Sequence, residues 1–392
     1  MTAAGIVAEY NPFHAGHAYH IAETRRLLGP DTAVVCVMSG NWVQRGDCAV
    51  FDKWTRARMA LEGGADLVLE LPTVWALASA EGFARGAVSV LTAAGVVDCL
   101  SFGSECGDVD KLRRVAACLD SEVYQAGLRR FLDEGLSFAV CRHRAAEELL
   151  GGELAGLLSF PNNNLGIEYI RGLNARNSGI RPVTVLRTGA GHDGGDHPEF
   201  PSASFLREGL RRQGGADVAD LRYCQRAVLA RLRTMTAADW AKLPDAGVAE
   251  GLPRRLERAG RDCASLEEFY SLTKTKRYAH ARLRRLTLWA FLGIRRANVP
   301  EQPPYLRVLG LNSRGRELLR EMKVRAAVPV LTKPAHIDRL GPEARALFAV
   351  EERCTDLYGL CFAAPRPAGE ERRTTAVVAE GRSPTQEGTA HG

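Results

Sequence analysis

Short apolar runs punctuate the first half of the chain at 4–9, 33–38, 66–71, 97–103 and 182–187. Their brevity and content of β-branched residues predict strands covered on both faces. Between them, apolar positions recur at helical spacing over about 16–28, 53–63, 80–94 and 162–174, and the stretch 108–150 reads as two or three further helices inserted ahead of the last strand. This alternation predicts an α/β, Rossmann-like domain around a parallel sheet.

Beyond about residue 201 the pattern changes. Helical segments are predicted at 204–213, 216–232, 237–243, 252–259 and 265–295, followed by strand-like runs at 305–311 and 326–331. From about residue 365 the chain is rich in Pro, Gly, Glu, Arg, Thr and Ser without apolar periodicity, which predicts disorder. The expected organisation is an α/β domain over 1–205, a mainly helical domain over 206–364 and a disordered tail over 365–392.

Composition narrows the class. With 392 residues, 46% hydrophobic and 25% charged, this is the profile of a globular protein large enough for two domains. There is no apolar run long enough to cross a bilayer and no basic-then-apolar leader, so a cytoplasmic protein with no membrane association is expected. The ten cysteines are scattered without a CxxC pair, which predicts reduced structural thiols. A net charge of +6 is compatible with a nucleic-acid partner.

The densest chemistry lies at the end of the first predicted strand, in Asn11-Pro12-Phe13-His14-Ala15-Gly16-His17. His14 and His17 fall on one face of the first helical turn, Gly16 leaves room for a phosphate, and a helix N-terminus favours anions. Two imidazoles so placed suit transition-state stabilisation at the α-phosphate of a nucleotide. Surface histidines are the bland reading of an HxxH spacing, and a zinc site is disfavoured because no HExxH accompanies it. Ser202, Ser204 and Arg207 open a later helix and read either as a plain N-cap or as a second phosphate-binding element.

Taken with Met38-Ser39-Gly40-Asn41-Trp42-Val43-Gln44-Arg45-Gly46, Phe102-Gly103-Ser104-Glu105, Pro161-Asn162-Asn163-Asn164 and Thr275-Lys276-Arg277-Tyr278, this opening resembles the bacterial tRNA(Met) cytidine acetate ligases, HxGH nucleotidyltransferase-like enzymes, over most of residues 1–362. The resemblance implies catalysis by His14 and His17. It implies ATP contacts at Ile6, Val7, Ala8, Glu9, Tyr10, Asn11, Pro12, Phe13, His14, Ala15, Gly16, His17, Ala18 and Tyr19, and at Gly103, Asn162 and Arg187. It further implies that ATP, accompanied by Mg2+, activates acetate as acetyl-adenylate, and that the acetyl group passes to N4 of the wobble cytidine of elongator tRNA(Met). Two positions depart from the pattern: Ala15 replaces a usual Asn, and Ala190-Gly191-His192 lacks an expected aromatic residue. Asp193, Asp196 and His197 read as a solvated turn rather than a metal site.

Lys274, Lys276, Arg277, Arg282, Arg284 and Arg285 cluster with Tyr270, Tyr278 and His280, and no carboxylate occurs between Ser271 and Arg295. A solvated helix face would mix signs, so the run points to a phosphate backbone and to stacking on unpaired bases. Gln44, Arg45, Lys53 and Arg56, near the catalytic edge, are further candidates for tRNA contact. The competing readings are a small-molecule adenylyltransferase of the pantetheine-phosphate or nicotinamide-mononucleotide kind, which needs no large basic domain, and an RNA-binding protein with a degenerate nucleotide site.

Overall fold

The computed structural model describes residues 1–187 and 202–380. The strands, in chain order, are β1 (Ala3–Ala8), β2 (Ala33–Ser39), β3 (Trp42–Val43), β4 (Asp47–Cys48), β5 (Leu67–Leu71), β6 (Cys99–Ser104), β7 (Arg181–Leu186), β8 (Leu306–Leu311), β9 (Val330–Leu331) and β10 (Val377–Val378). The main sheet runs β10-β8-β5-β2-β1-β6-β7, with β9 pairing β8, while β3 and β4 form a separate antiparallel hairpin. Strands β5, β2, β1, β6 and β7 are mutually parallel. They are the five strands predicted from the apolar runs. Every residue of β2 and β5 is buried, as expected where helices cover both faces of a parallel sheet.

The insertion forms helices Val109–Leu119, Glu122–Asp133 and Phe138–Leu150, which pack on one another, the first of them also against helix Pro161–Ala175. The expected long helix over 265–295 is two, Leu266–Thr273 and His280–Leu292, with a non-helical connection at 274–279. No described helix is long and apolar enough to cross a membrane.

Two expectations need correction. Strand β8 pairs antiparallel with β5, and β9 and β10 pair with β8, so the segment after residue 205 does not stay apart from the first sheet but supplies three of its strands. Nor is all of 365–392 structureless: helix Glu370–Arg373 and β10 pack onto the sheet, β10 pairing parallel with β8. The polar composition of this stretch hides one buried carboxylate, Glu371, which lies 2.6 Å from Lys53. Residues 381–392 lie outside the described residues. All ten cysteines are described and unpaired.

Candidate active site

Strand β1 is flanked by β2 on one side and β6 on the other, so connections leave it in opposite directions across the sheet. Beyond the carboxyl ends of strands at such a switch point lies the usual ligand crevice of an open α/β sheet. The loop after β1 is built to hold its shape there. Tyr10 takes a left-handed backbone conformation (φ 46°), which costs about 1–3 kcal/mol in a non-glycine residue. Its ring offsets this by packing edge-on against Phe13 and His17 at 4.9 and 4.8 Å. Asn11 is buried; its Oδ1 accepts from the Val50 N–H at 2.8 Å and its carbonyl accepts from Arg207 Nη1 at 2.9 Å.

His14 caps the helix Ala15–Leu28, its Nδ1 accepting from the Gly16 N–H at 3.1 Å. In return His17 Nδ1 accepts from the His14 backbone N–H at 3.2 Å, closing a capping box made of two imidazoles. With both Nδ1 atoms acting as acceptors, the proton of each neutral ring sits on Nε2. The rings stack with centroids 3.8 Å apart. Burial pushes His14 down to about 4, helped by the charges of Arg187 and Arg207. Burial likewise holds His17 well below the usual imidazole range, with His14, His20 and Arg187 adding to it. Both histidines are therefore neutral Nε2–H donors at physiological pH. This changes the expected role of Gly16: a Cβ there would lie 3.0 Å from His14 Cε1, so glycine makes room for the imidazole cap. Because His14 takes up the Gly16 N–H, ring N–H groups replace that backbone donor at the helix end.

Of the other ATP candidates, Gly103 and Arg187 lie at the ends of the next two strands along the sheet from β1. Gly103 lies near the end of β6, paired with Val185 of β7, and a Cβ on it would stand 3.1 Å from Arg187 Cγ. Arg187 follows β7 and is close enough to shift both histidines. Asn162 begins helix Pro161–Ala175 and donates through Nδ2 to Glu105 at 2.7 Å, which also takes the Asn163 N–H at 2.7 Å. Glu105, placed just after β6, is thus what positions Asn162. Ser202 is an N-cap, accepting from the Phe205 N–H at 3.2 Å, while Ser204 Oγ accepts from Arg207 at 2.8 Å and from Arg45 at 3.5 Å. The Asp193, Asp196 and His197 cluster and the 190–192 loop lie outside the described residues.

The basic candidates divide. Lys274, Lys276, Arg277 and Arg284 are exposed. Lys276 and Arg277 line a cavity of about 470 Å³ with Glu250, Arg255 and Tyr278. Arg282, however, pairs with Asp245 and Glu250 at 3.2 and 3.0 Å, and Arg285 lies 3.8 Å from Asp245. These carboxylates come from outside the acid-free run, so the one-sidedness of the sequence overstates the free charge. Tyr270 and Tyr278 are buried, and Arg284 and Arg282 lie over their rings at 5.9 and 5.7 Å, so the expected stacking platform is not presented by these rings.

Lys53 and Arg56 are corrected outright. Both are essentially inaccessible: Lys53 bridges Glu70 and Glu371 at 2.6 Å each, and Arg56 donates to the carbonyls of Glu9 at 2.6 Å, Phe51 at 2.9 Å, Ser39 at 3.1 Å and Gly40. They tie strand ends together and do not meet a nucleic acid. Arg45 is exposed on the β3–β4 hairpin, and the Gln44 N–H is bound to Glu9 at 2.8 Å.

A second cavity, of about 450 Å³, opens beside the histidine loop between the hairpin, helix Ala203–Gln213 and Arg284. Gly46 allows this closure: at φ +75° its missing Cβ would lie 2.5 Å from Arg284 Cβ. His20, outside the residues expected from the sequence, also belongs to this region: its Nε2 meets Ser101 Oγ at 3.0 Å, and burial lowers it to about 4. The signal was there, in the 14, 17, 20 spacing along one helix face.

The family described as HIGH Nucleotidyl Transferase matches the chain over residues 1–226 and 216–373. A tRNA(Met) cytidine acetate ligase from Caldanaerobacter subterraneus subsp. tengcongensis is 37% identical over 386 residues, covering 92% of this chain and 96% of the relative. One from Acetivibrio thermocellus is 34% identical over 417 residues, covering 96% of this chain and 100% of the relative. Among solved structures, apo Thermotoga maritima TmcAL superposes with a TM-score of 0.91 at 32% identity, covering 97% of this chain and 100% of that one. The same protein bound with alpha-thio ATP gives 0.88 at 32% identity with the same coverage.

Proposed function

Because this chain belongs to the tRNA(Met) cytidine acetate ligase family, we propose that it uses ATP to activate acetate as acetyl-adenylate and acetylates N4 of the wobble cytidine of elongator tRNA(Met). The observation that carries this reading is the pair of neutral imidazoles at the switch point, neither Nε2–H taken up by a described residue, beside Arg187 and Gly103.

In the first step, an acetate oxygen attacks the α-phosphorus of ATP and pyrophosphate leaves. Charge grows on the non-bridging oxygens, where His14 and His17 donate through Nε2 without changing protonation state, and Arg187 supplies a permanent positive charge. Arg207 is held by Asn11 and reaches toward the same loop. In the second step, the cytidine amine attacks the acetyl carbonyl and AMP leaves. The exposed cations Arg45, Arg284, Lys274, Lys276 and Arg277 are the candidates that bring the tRNA backbone to the site. Magnesium would travel on the triphosphate; among the described residues no group of three His, Cys, Asp or Glu side chains offers it a protein cage.

A small-molecule adenylyltransferase would share the first step only. Incubation with ATP, labelled acetate and total tRNA, followed by digestion to nucleosides, separates the two readings. Labelled N4-acetylcytidine is expected. Its absence under conditions where ATP is bound and pyrophosphate released would reject the ligase.

A further inference from the structure

The second step needs a group to take the proton from the cytidine amine, and the two histidines are poor candidates because burial leaves them weakly basic. The cavity beside the loop holds four carboxylates: Glu9, Asp47, Glu208 and Asp220. Three are committed to arginines: Asp47 to Arg211 at 2.9 Å, Glu208 to Arg212, and Asp220 to Arg222 at 3.3 Å. Glu9 differs. Among the described residues it has no ion-pair partner within 4.0 Å, although the cavity is lined by arginines. Its Oε1 accepts the Gln44 N–H at 2.8 Å, which fixes the carboxylate, while Oε2 makes no hydrogen bond to a described residue.

We propose that Glu9 is the proton acceptor of the acetyl-transfer step, resting on the ligase reading above. Glu9 leaves the carboxyl end of β1 directly before the histidine loop and lines the cavity beside it, and Arg207, which lines that same cavity, acts on both Glu9 and His14. As the N4–C bond forms at the acetyl carbonyl, one N4 proton passes to Oε2. The C–O bond to the adenylate phosphate then breaks, and AMP leaves with the electron pair. The surroundings poise the group. Burial raises its affinity for a proton, against the Gln44 N–H and the charges of Arg45 on the hairpin, Arg207 on helix Ala203–Gln213 and Arg56 on helix Lys53–Glu62. Tyr169, on helix Pro161–Ala175, is the other titratable group that senses it. None of these three arginines comes within ion-pairing distance of the Glu9 carboxylate, which keeps it free to accept a proton.

The test uses Glu9→Gln, whose amide oxygen still accepts the Gln44 N–H, with Glu9→Asp alongside. Acetyl-adenylate is formed on the full-length protein, tRNA is added, and single-turnover transfer is followed against pH, with acetate-dependent pyrophosphate release measured separately. Wild type should show transfer rising with pH through the Glu9 titration. Glu9→Gln should lose about 10²–10⁴-fold in transfer, together with that acid limb, and more in transfer than in pyrophosphate release. Glu9→Asp should restore the limb. Equal losses in both steps, or transfer with an unchanged pH profile, would overturn the assignment. A wild-type protein that makes no N4-acetylcytidine would instead reject the ligase reading.

Discussion

Replacing Lys53 by Met distinguishes a buried structural cation from an RNA contact. The Lys53 ammonium is 1% exposed and stands 2.6 Å from both Glu70 and Glu371, each 2% exposed or less. Without it, two carboxylates remain in the protein interior with Arg307, 3.7 Å from Glu371, as the nearest cation. Breaking a buried pair by removing one partner costs about 3–5 kcal/mol, a large part of the roughly 5–15 kcal/mol that holds a typical domain together. For a chain of 392 residues the thermal midpoint should fall by roughly 4–6 °C. Urea unfolding at several pH values is the assay, the midpoint reporting stability at constant slope. The variant's unpaired carboxylates would have folded pKa values above their unfolded ones. Their penalty therefore appears as pH rises through those values, and the variant should recover part of the loss on acidification. An unchanged midpoint combined with weaker, less salt-dependent tRNA binding would refute the reasoning and restore Lys53 to the RNA surface.

Three further predictions concern separate parts of the molecule. Glu351 is pushed up to about 8, chiefly by burial and then by Glu70. Between its unfolded value and about 8 the folded state holds the extra proton, so this group's contribution to stability declines as pH rises through that window, and Glu351→Gln should flatten the decline in urea midpoints. His17→Ala should slow acetate-dependent pyrophosphate release by about 10²–10³-fold, the usual effect of losing one preorganised donor. Wild-type release should show no imidazole-like limb above pH ~5, because His14 titrates near 4 and His17 is lowered too. Replacing Lys274, Lys276 and Arg277 together by Ala should leave pyrophosphate release intact. It should weaken tRNA binding and lower the log–log salt slope by about 0.7–0.9 for each phosphate that is no longer neutralised.

The strands and the histidine loop were legible because their signals are local. Continuous apolar runs mark doubly covered strands, and a two-imidazole turn between strand and helix leaves few other uses. Charge was less legible, since sign says nothing about depth. Lys53 and Arg56 look like surface cations in sequence, yet they satisfy Glu70, Glu371 and strand-end carbonyls from far along the chain. Asp245 and Glu250 neutralise Arg282 across more than thirty positions, beyond any helical-spacing rule. Glu9 was readable only as part of a motif. Its freedom from arginine partners is a property of the folded cavity.

Strand β8 has a consequence for how the protein is made. It seals the β5 side of the parallel sheet but is synthesised long after β5, with more than half the chain between them. Until it arrives, a nascent chain emerging from the ribosome exposes the unpaired backbone of β5, whose five residues all end up buried. Closing so distant a pair is slow, because the loop entropy is spent before the contact forms. A fragment truncated near residue 205 would keep that edge open permanently, and self-association through it is the expected fate.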